Sequence, residues 1–163
     1  MKIPRLFVPS LILAATLLGC ETMPTQEKTT SGTVPLQPIK VAENKAEIEA
    51  LVEKAEKGDV IAQHNLGLMY DNGRGVTKDE VEAVKWYRKA ADQGFAKAQF
   101  NLGNMYDNGL GVAKDEVEAY KWSLLSGAQG NELARKRIPL IEGNLTPSQR
   151  AEGQKLAREF KKK

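Results

Sequence analysis

Cysteine is almost missing from this chain of 163 residues. Cys20 is the single one, so no intramolecular disulfide can form and the fold has to be held by packing. Histidine is as scarce. His64 stands alone, and without a second histidine or a cysteine beyond residue 20, neither a zinc site nor a Cys-His dyad can be built. Long apolar runs are also lacking, apart from residues 6–19, and that run is shorter than the roughly 20 residues a membrane-spanning helix needs. No strong charge of one sign is present either: the formal charge is +3, falling to +1 once Lys2 and Arg5 are removed with residues 1–19, which does not mark a nucleic-acid binder.

What the chain does have is a repeat. Residues 58–93 laid over residues 94–129 match at 22 of 36 positions without a gap, and the shared text A-Q-x-N-L-G-x-M-Y-D-N-G-x-G-V-x-K-D-E-V-E-A-x-K-W runs from Ala62 to Trp86 and again from Ala98 to Trp122. A period of this length marks a solenoid, in which each unit buries its apolar face only by stacking on its neighbours. Each unit reads as two helices. The first is expected from Val60 to about Asp71, capped by Asp59, with Ala62, Leu66, Met69 and Tyr70 inward. Asn72-Gly73-Arg74-Gly75 breaks it, and the second runs from Glu80 to about Gln93 behind Asp79 as N-cap. Around residue 43 a helical pattern already begins, with Ala46, Ala50, Val52 and Ala55 at helical intervals. After Ala134 the third unit departs from the text, Pro139 is expected to cut its helix short, and Thr146-Pro147-Ser148-Gln149 opens a last helix to about Phe160 as a capping box. These readings predict an all-α chain with two full repeats at 58–93 and 94–129, a degenerate cap at 130–163, and a repeat domain spanning 43–163.

The chain begins as a secretory signal: Lys2 and Arg5, the apolar run, then Leu17-Leu18-Gly19-Cys20. That ending resembles the lipobox of bacterial lipoproteins. The resemblance implies cleavage after residue 19, acylation of Cys20 and anchoring in the cell envelope, where several acyl chains hold firmly and one would not. Glu21 in place of aspartate points, by the same resemblance, to the outer membrane. Residues 20–42 carry mostly Thr, Pro, Gln, Lys and Ser and read as a flexible tether with an average reach of roughly 25 Å.

The repeat text, at 36 residues two longer than the tetratricopeptide period, resembles the Sel-one-like repeat family in N-L-G-x-M-Y and G-x-G-V. This resemblance covers residue 46 to about 160. It implies a right-handed αα-superhelix of about two and a half repeats with a C-terminal capping helix, serving as a scaffold for protein interaction. Some secreted relatives lock each helix pair with a disulfide, and penicillin binding is ascribed to them; the cysteine-free repeats here do not carry that activity over.

No residue set points to catalysis, a cofactor or a metal. Asp71, Asp79 and Glu80 recur as Asp107, Asp115 and Glu116, which is the behaviour of helix ends and loops rather than of a single catalytic pair. Trp86, Trp122, Tyr70 and Tyr106 are expected in the core, and Gly67 and Gly103, mid-helix, are expected where helices approach closely. The informative positions are those where the repeats differ. Ile61, His64 and Leu68 answer to Lys97, Phe100 and Asn104, at offsets of three and four that share one helix face. That face is expected to be free of packing duty and, by analogy with other helical-pair solenoids, to line the concave groove that receives a protein or peptide. The differing residues of the second helix, Val84, Tyr87, Arg88 and Ala91 against Tyr120, Ser123, Leu124 and Gly127, are expected to serve packing. An envelope enzyme or ligand-binding protein acting on peptidoglycan or β-lactams is the alternative function, and self-association of two short solenoids is a third.

Overall fold

A computed structural model describes residues 45–162; the expected signal at 1–19, Cys20 and the whole tether to residue 42 lie, like the rest of residues 1–44, outside the described residues. The described residues form seven helices and no strand: α1 Lys45–Glu56, α2 Val60–Asn72, α3 Glu80–Asp92, α4 Ala96–Asn108, α5 Glu116–Ala128, α6 Glu132–Asn144 and α7 Pro147–Glu159. The helix pairs α2–α3 and α4–α5 stack into an αα-superhelix.

Local chemistry accounts for most of the boundaries. Asp59 accepts the Ala62 N–H at 2.7 Å, and Asp79 and Asp115 each accept two N–H groups of α3 and α5, satisfying donors that a helix start leaves without partners. Phe95 takes the place of Asp59 in the second repeat and gives α4 no side-chain cap; its ring packs instead. Gly73 and Gly109, at φ of 67° and 68°, end α2 and α4 in the left-handed conformation, with their N–H groups turned back to Met69 and Met105. Thr146 and Gln149 form the expected capping box, with Pro147 in the first turn of α7.

Between the elements, the identical letters go inward. Leu66, Met69 and Trp86 close against Ile48, Leu51 and Val52 of α1, while Leu102, Met105 and Trp122 close against Ala83, Tyr87, Ala90 and Ala91 of α3. The inward stripe of α1 is therefore half-buried Ile48, Leu51 and Val52 with buried Ala55, and Ala46 and Ala50 remain exposed. Gly67 and Gly103 mark close approaches, as expected: a Cβ on Gly67 would lie 2.5 Å from the Tyr87 ring, and one on Gly103 would lie 3.3 Å from the Ala119 carbonyl oxygen. The differing residues of the second helices also serve packing. Val84, Tyr87, Ala91, Tyr120, Ser123 and Gly127 are buried, and Arg88 and Leu124 half-buried.

A polar ladder runs beside the apolar seams. Gln63 Nε2 donates to the Ala55 carbonyl at 3.0 Å and Gln99 Nε2 to the Ala91 carbonyl at 3.2 Å. The next rungs bind these rungs, for Gln93 Nε2 donates to Gln63 Oε1 at 2.8 Å and Gln129 Nε2 to Gln99 Oε1 at 2.7 Å. In the third unit Arg135, in register with both, donates through Nε to the Gly127 carbonyl at 2.9 Å.

The cap differs from expectation in one respect. Pro139 does not end its helix; α6 runs through it to Asn144. The bond and clearance lost at an interior proline are offset by burial on both sides, since Ala134 lies inside before it and Ile141 and Leu145 close on Tyr120 after it. Leu145 and Thr146 alone join α6 to α7, whereas residues 73–79 and 109–115 join the other pairs. α7 does not lie along α6 as α3 lies along α2; it packs on α5, with Gly153 against Tyr120 and Phe160 edge-on to Trp122 at 5.5 Å.

Two outcomes follow from these seams. Gly67→Ala forces the Tyr87 ring to move and lowers stability by roughly 1–3 kcal/mol in urea denaturation despite alanine's helix propensity, while Gly103→Ala, with nothing nearer than 3.3 Å, has the milder effect. Gln99→Ala strands the buried Ala91 carbonyl and destabilises by about 1–3 kcal/mol, more than Gln129→Ala at the exposed end of the same ladder.

Candidate interaction face

The six residues expected to form the face, Ile61, His64, Leu68, Lys97, Phe100 and Asn104, do lie along α2 and α4, but their surroundings are not alike. Ile61 is 59% exposed and Lys97 is exposed; Phe100 and Asn104 are half-buried. Leu68 packs partly against the core of α3, α4 and α5. His64 is a correction: at 4% exposure it lies inside, and the face is not free of packing duty at this position. The reason is the neighbouring repeat. Phe95, which replaces a capping aspartate, sets its ring edge-on to the imidazole with centroids 5.1 Å apart, Tyr87 stands at 5.9 Å, and Asn101 Nδ2 is 3.3 Å from His64 Nε2.

Burial, and then the charge of Lys97, lowers the His64 pKa from 6.5 to about 4, so the ring is neutral near pH 7. Tyr87 reaches over Gly67 to donate to Asp71 at 3.3 Å, and burial followed by the Asp71 charge raises its phenol well above the usual value. Arg137 of α6 pairs with Asp107 of α4, while Arg88 donates to the Tyr106 hydroxyl and lies 5.4 Å over its ring. Carboxylates that resembled paired acids are thus engaged: Asp79 and Asp115 by helix N–H groups, Asp71 by Tyr87, Asp107 by Arg137, Glu80 by Lys78 at 2.8 Å and Glu116 by Lys114 at 3.0 Å. Among the described residues no three His, Cys, Asp or Glu side chains gather where they could hold a metal ion.

Sequence reasoning missed a third rung of the same face. In the 36-residue register, positions 61, 64 and 68 become 97, 100 and 104 and then 133, 136 and 140. Leu133 and Leu140 are 61% and 71% exposed, and Lys136 between them is exposed. The identical letters fade after Ala134, so only the register, carried on without letters to mark it, could have found this rung. Between α5 and α7 lies an open apolar depression of about 320 Å³, lined by Leu124, Leu125, Ala128 and Ala157 with Gln154 and Arg158 at its edge.

Comparison with known proteins bears on this geometry. The model of the Sel1 repeat matches residues 60–95 and 96–131. A Sel1 repeat protein of Oxalobacter formigenes is similar at 49% identity over 59% of this chain and 73% of its own, with a TM-score of 0.57. The chain belongs to the Sel1 repeat family. It is also similar to a protective antigen, c5321, of uropathogenic Escherichia coli strains, which displays an SLR fold, at 35% identity over 73% of this chain with a TM-score of 0.69. This chain spans 26% of that antigen's length. No curated protein matches the chain. Sel1 repeat proteins are generally non-catalytic scaffolds for protein interaction. Both neighbours are bacterial, and among the described residues no helix is long and apolar enough to cross a membrane.

The buried histidine makes this Sel1 repeat protein acid-sensitive in a defined window. Its folded pKa lies below the unfolded value, so the unfolded chain takes up the proton first; stability is complete above about pH 6.5 and is lost as pH falls towards 4. Urea titrations at pH 7 and pH 4.5 are expected to differ by roughly 2–3 kcal/mol from this group, and His64→Phe, which copies position 100, is expected to shrink the difference by that amount.

Proposed function

We propose that the protein is a lipid-anchored scaffold of the bacterial envelope that holds another protein or peptide in a solenoid groove lined by α2 and α4. The observation that carries this reading is the exposure of Ile61 and Lys97 beside half-buried Leu68, Phe100 and Asn104, a patch with apolar anchors and a polar edge. Below them His64 serves as the floor, holding the two first helices at a set spacing through Phe95 and Asn101. The interaction role general to Sel1 repeats supports the same reading. The anchor rests on the Leu17-Leu18-Gly19-Cys20 sequence, with Glu21 favouring the outer membrane and residues 20–42 as the tether.

Leu68 contributes to the core, so a charge there would test folding as much as binding; Ile61 is the cleaner position. Ile61→Glu and Phe100→Glu are expected to cut capture of the partner at least tenfold in cells carrying a photoreactive residue at position 97, while Ile61→Glu leaves the circular dichroism melt unchanged. Equal crosslinking by wild type and both variants rules the face out. For the anchor, Cys20→Ser is expected to abolish labelling by palmitate and move the protein out of the membrane fraction; retained labelling refutes lipidation at this residue.

A further inference from the structure

The third rung differs from the first two in one physical respect: no described residue closes over it. His64 is drawn into the junction by Phe95 and Asn101 of α4, and Phe100 is half-buried, whereas α7 turns onto α5 and leaves the equivalent position of α6 open. Leu133 and Leu140, seven residues and about 10 Å apart along the helix, stand mostly in solvent on either side of Lys136. Gly143, a turn further on, has open space where a side chain would stand, so another backbone can approach there. Offsets of three, four and three put all four residues on one face.

We propose that this face of α6 docks a helix of a partner protein that carries an acidic side chain between two apolar residues one heptad apart. Two exposed leucines at that spacing match the heptad ridge of an amphipathic helix. The charge selects the sign of the partner. Among the described residues Lys136 has no ion-pair partner, Arg137 beside it is neutralised by Asp107, and residues 131–163 carry a formal +5. A second copy of this chain is the poorer occupant, because antiparallel pairing of two α6 faces sets Leu133 over Leu140 but brings Lys136 towards its own copy. This inference rests on the groove reading above, of which α6 is the third rung, and adds to it the site and the chemistry of the partner.

The test uses the full chain and two labelled 16-residue helical peptides, each with leucines seven residues apart and either glutamate or lysine between them, read by fluorescence anisotropy. The glutamate peptide is expected to bind at least tenfold more tightly than the lysine peptide, Lys136→Glu to reverse that preference, and Leu140→Ser to weaken the glutamate peptide at least tenfold with an unchanged melt. Affinity unchanged in Lys136→Glu and Leu140→Ser overturns the α6 site; if Ile61→Glu then abolishes binding, the groove on α2 and α4 stands without it, and if Ile61→Glu has no effect the groove reading fails as well. Binding only to vesicles of phosphatidylcholine with phosphatidylglycerol, lost in Leu140→Ser, assigns the face to lipid and overturns the proposal. A concentration-dependent dimer in sedimentation, likewise lost in Leu140→Ser, assigns it to self-association and does the same.

Discussion

A buried side-chain amide sets the register of this solenoid. Gln63 and Gln99 each hold the end of the preceding helix through a carbonyl eight residues upstream, and each receives a bond from the glutamine that closes its own repeat. Within an apolar seam such bonds are nearly all-or-none, because a carbonyl left without its donor loses the full cost of desolvation. A slip of one residue would break every rung at once. The apolar contacts around the ladder supply the bulk of the stabilisation but would tolerate several alignments; the amides single one out.

Once that register holds, the fate of every other position in a repeat follows from its neighbours. Leu66 and Leu102, Trp86 and Trp122 hold equivalent places in their repeats, and each is buried against the helix before it. Positions that face the next repeat depend on what that repeat brings. Phe95 packs on His64, whose burial lowers its pKa, while among the described residues the corresponding place on α6 shows Lys136 and Leu140 to solvent. The middle position of that face therefore changes from closed and neutral at His64 to open and basic at Lys136.

Much of the fold was legible in the letters. Helix ends at Asp59, Asp79, Gly73 and Thr146 are local events, decided by a side chain or a φ angle within a few residues, and all of them stand where the text puts them. The inward place of the tryptophans and the close approaches at Gly67 and Gly103 were legible for a different reason: duplicated letters imply duplicated environments, and in a stacked repeat the shared environment is the interior. The interaction face was only half legible. A difference between repeats shows that a position is released from a common role, yet His64 took up a private role in packing instead of facing solvent.

The sequence by itself determined the helix pairs, their caps, their period and the identity of the core, since each of these rests on short-range geometry or on repetition. Only the tertiary structure decided that Pro139 stays within a helix, that α7 crosses to α5, and that Lys136 and Leu140 remain uncovered. Those outcomes depend on burial by residues distant in the chain, such as Tyr120 closing on Ile141 and Leu145, and no window of sequence contains both sides of such a contact.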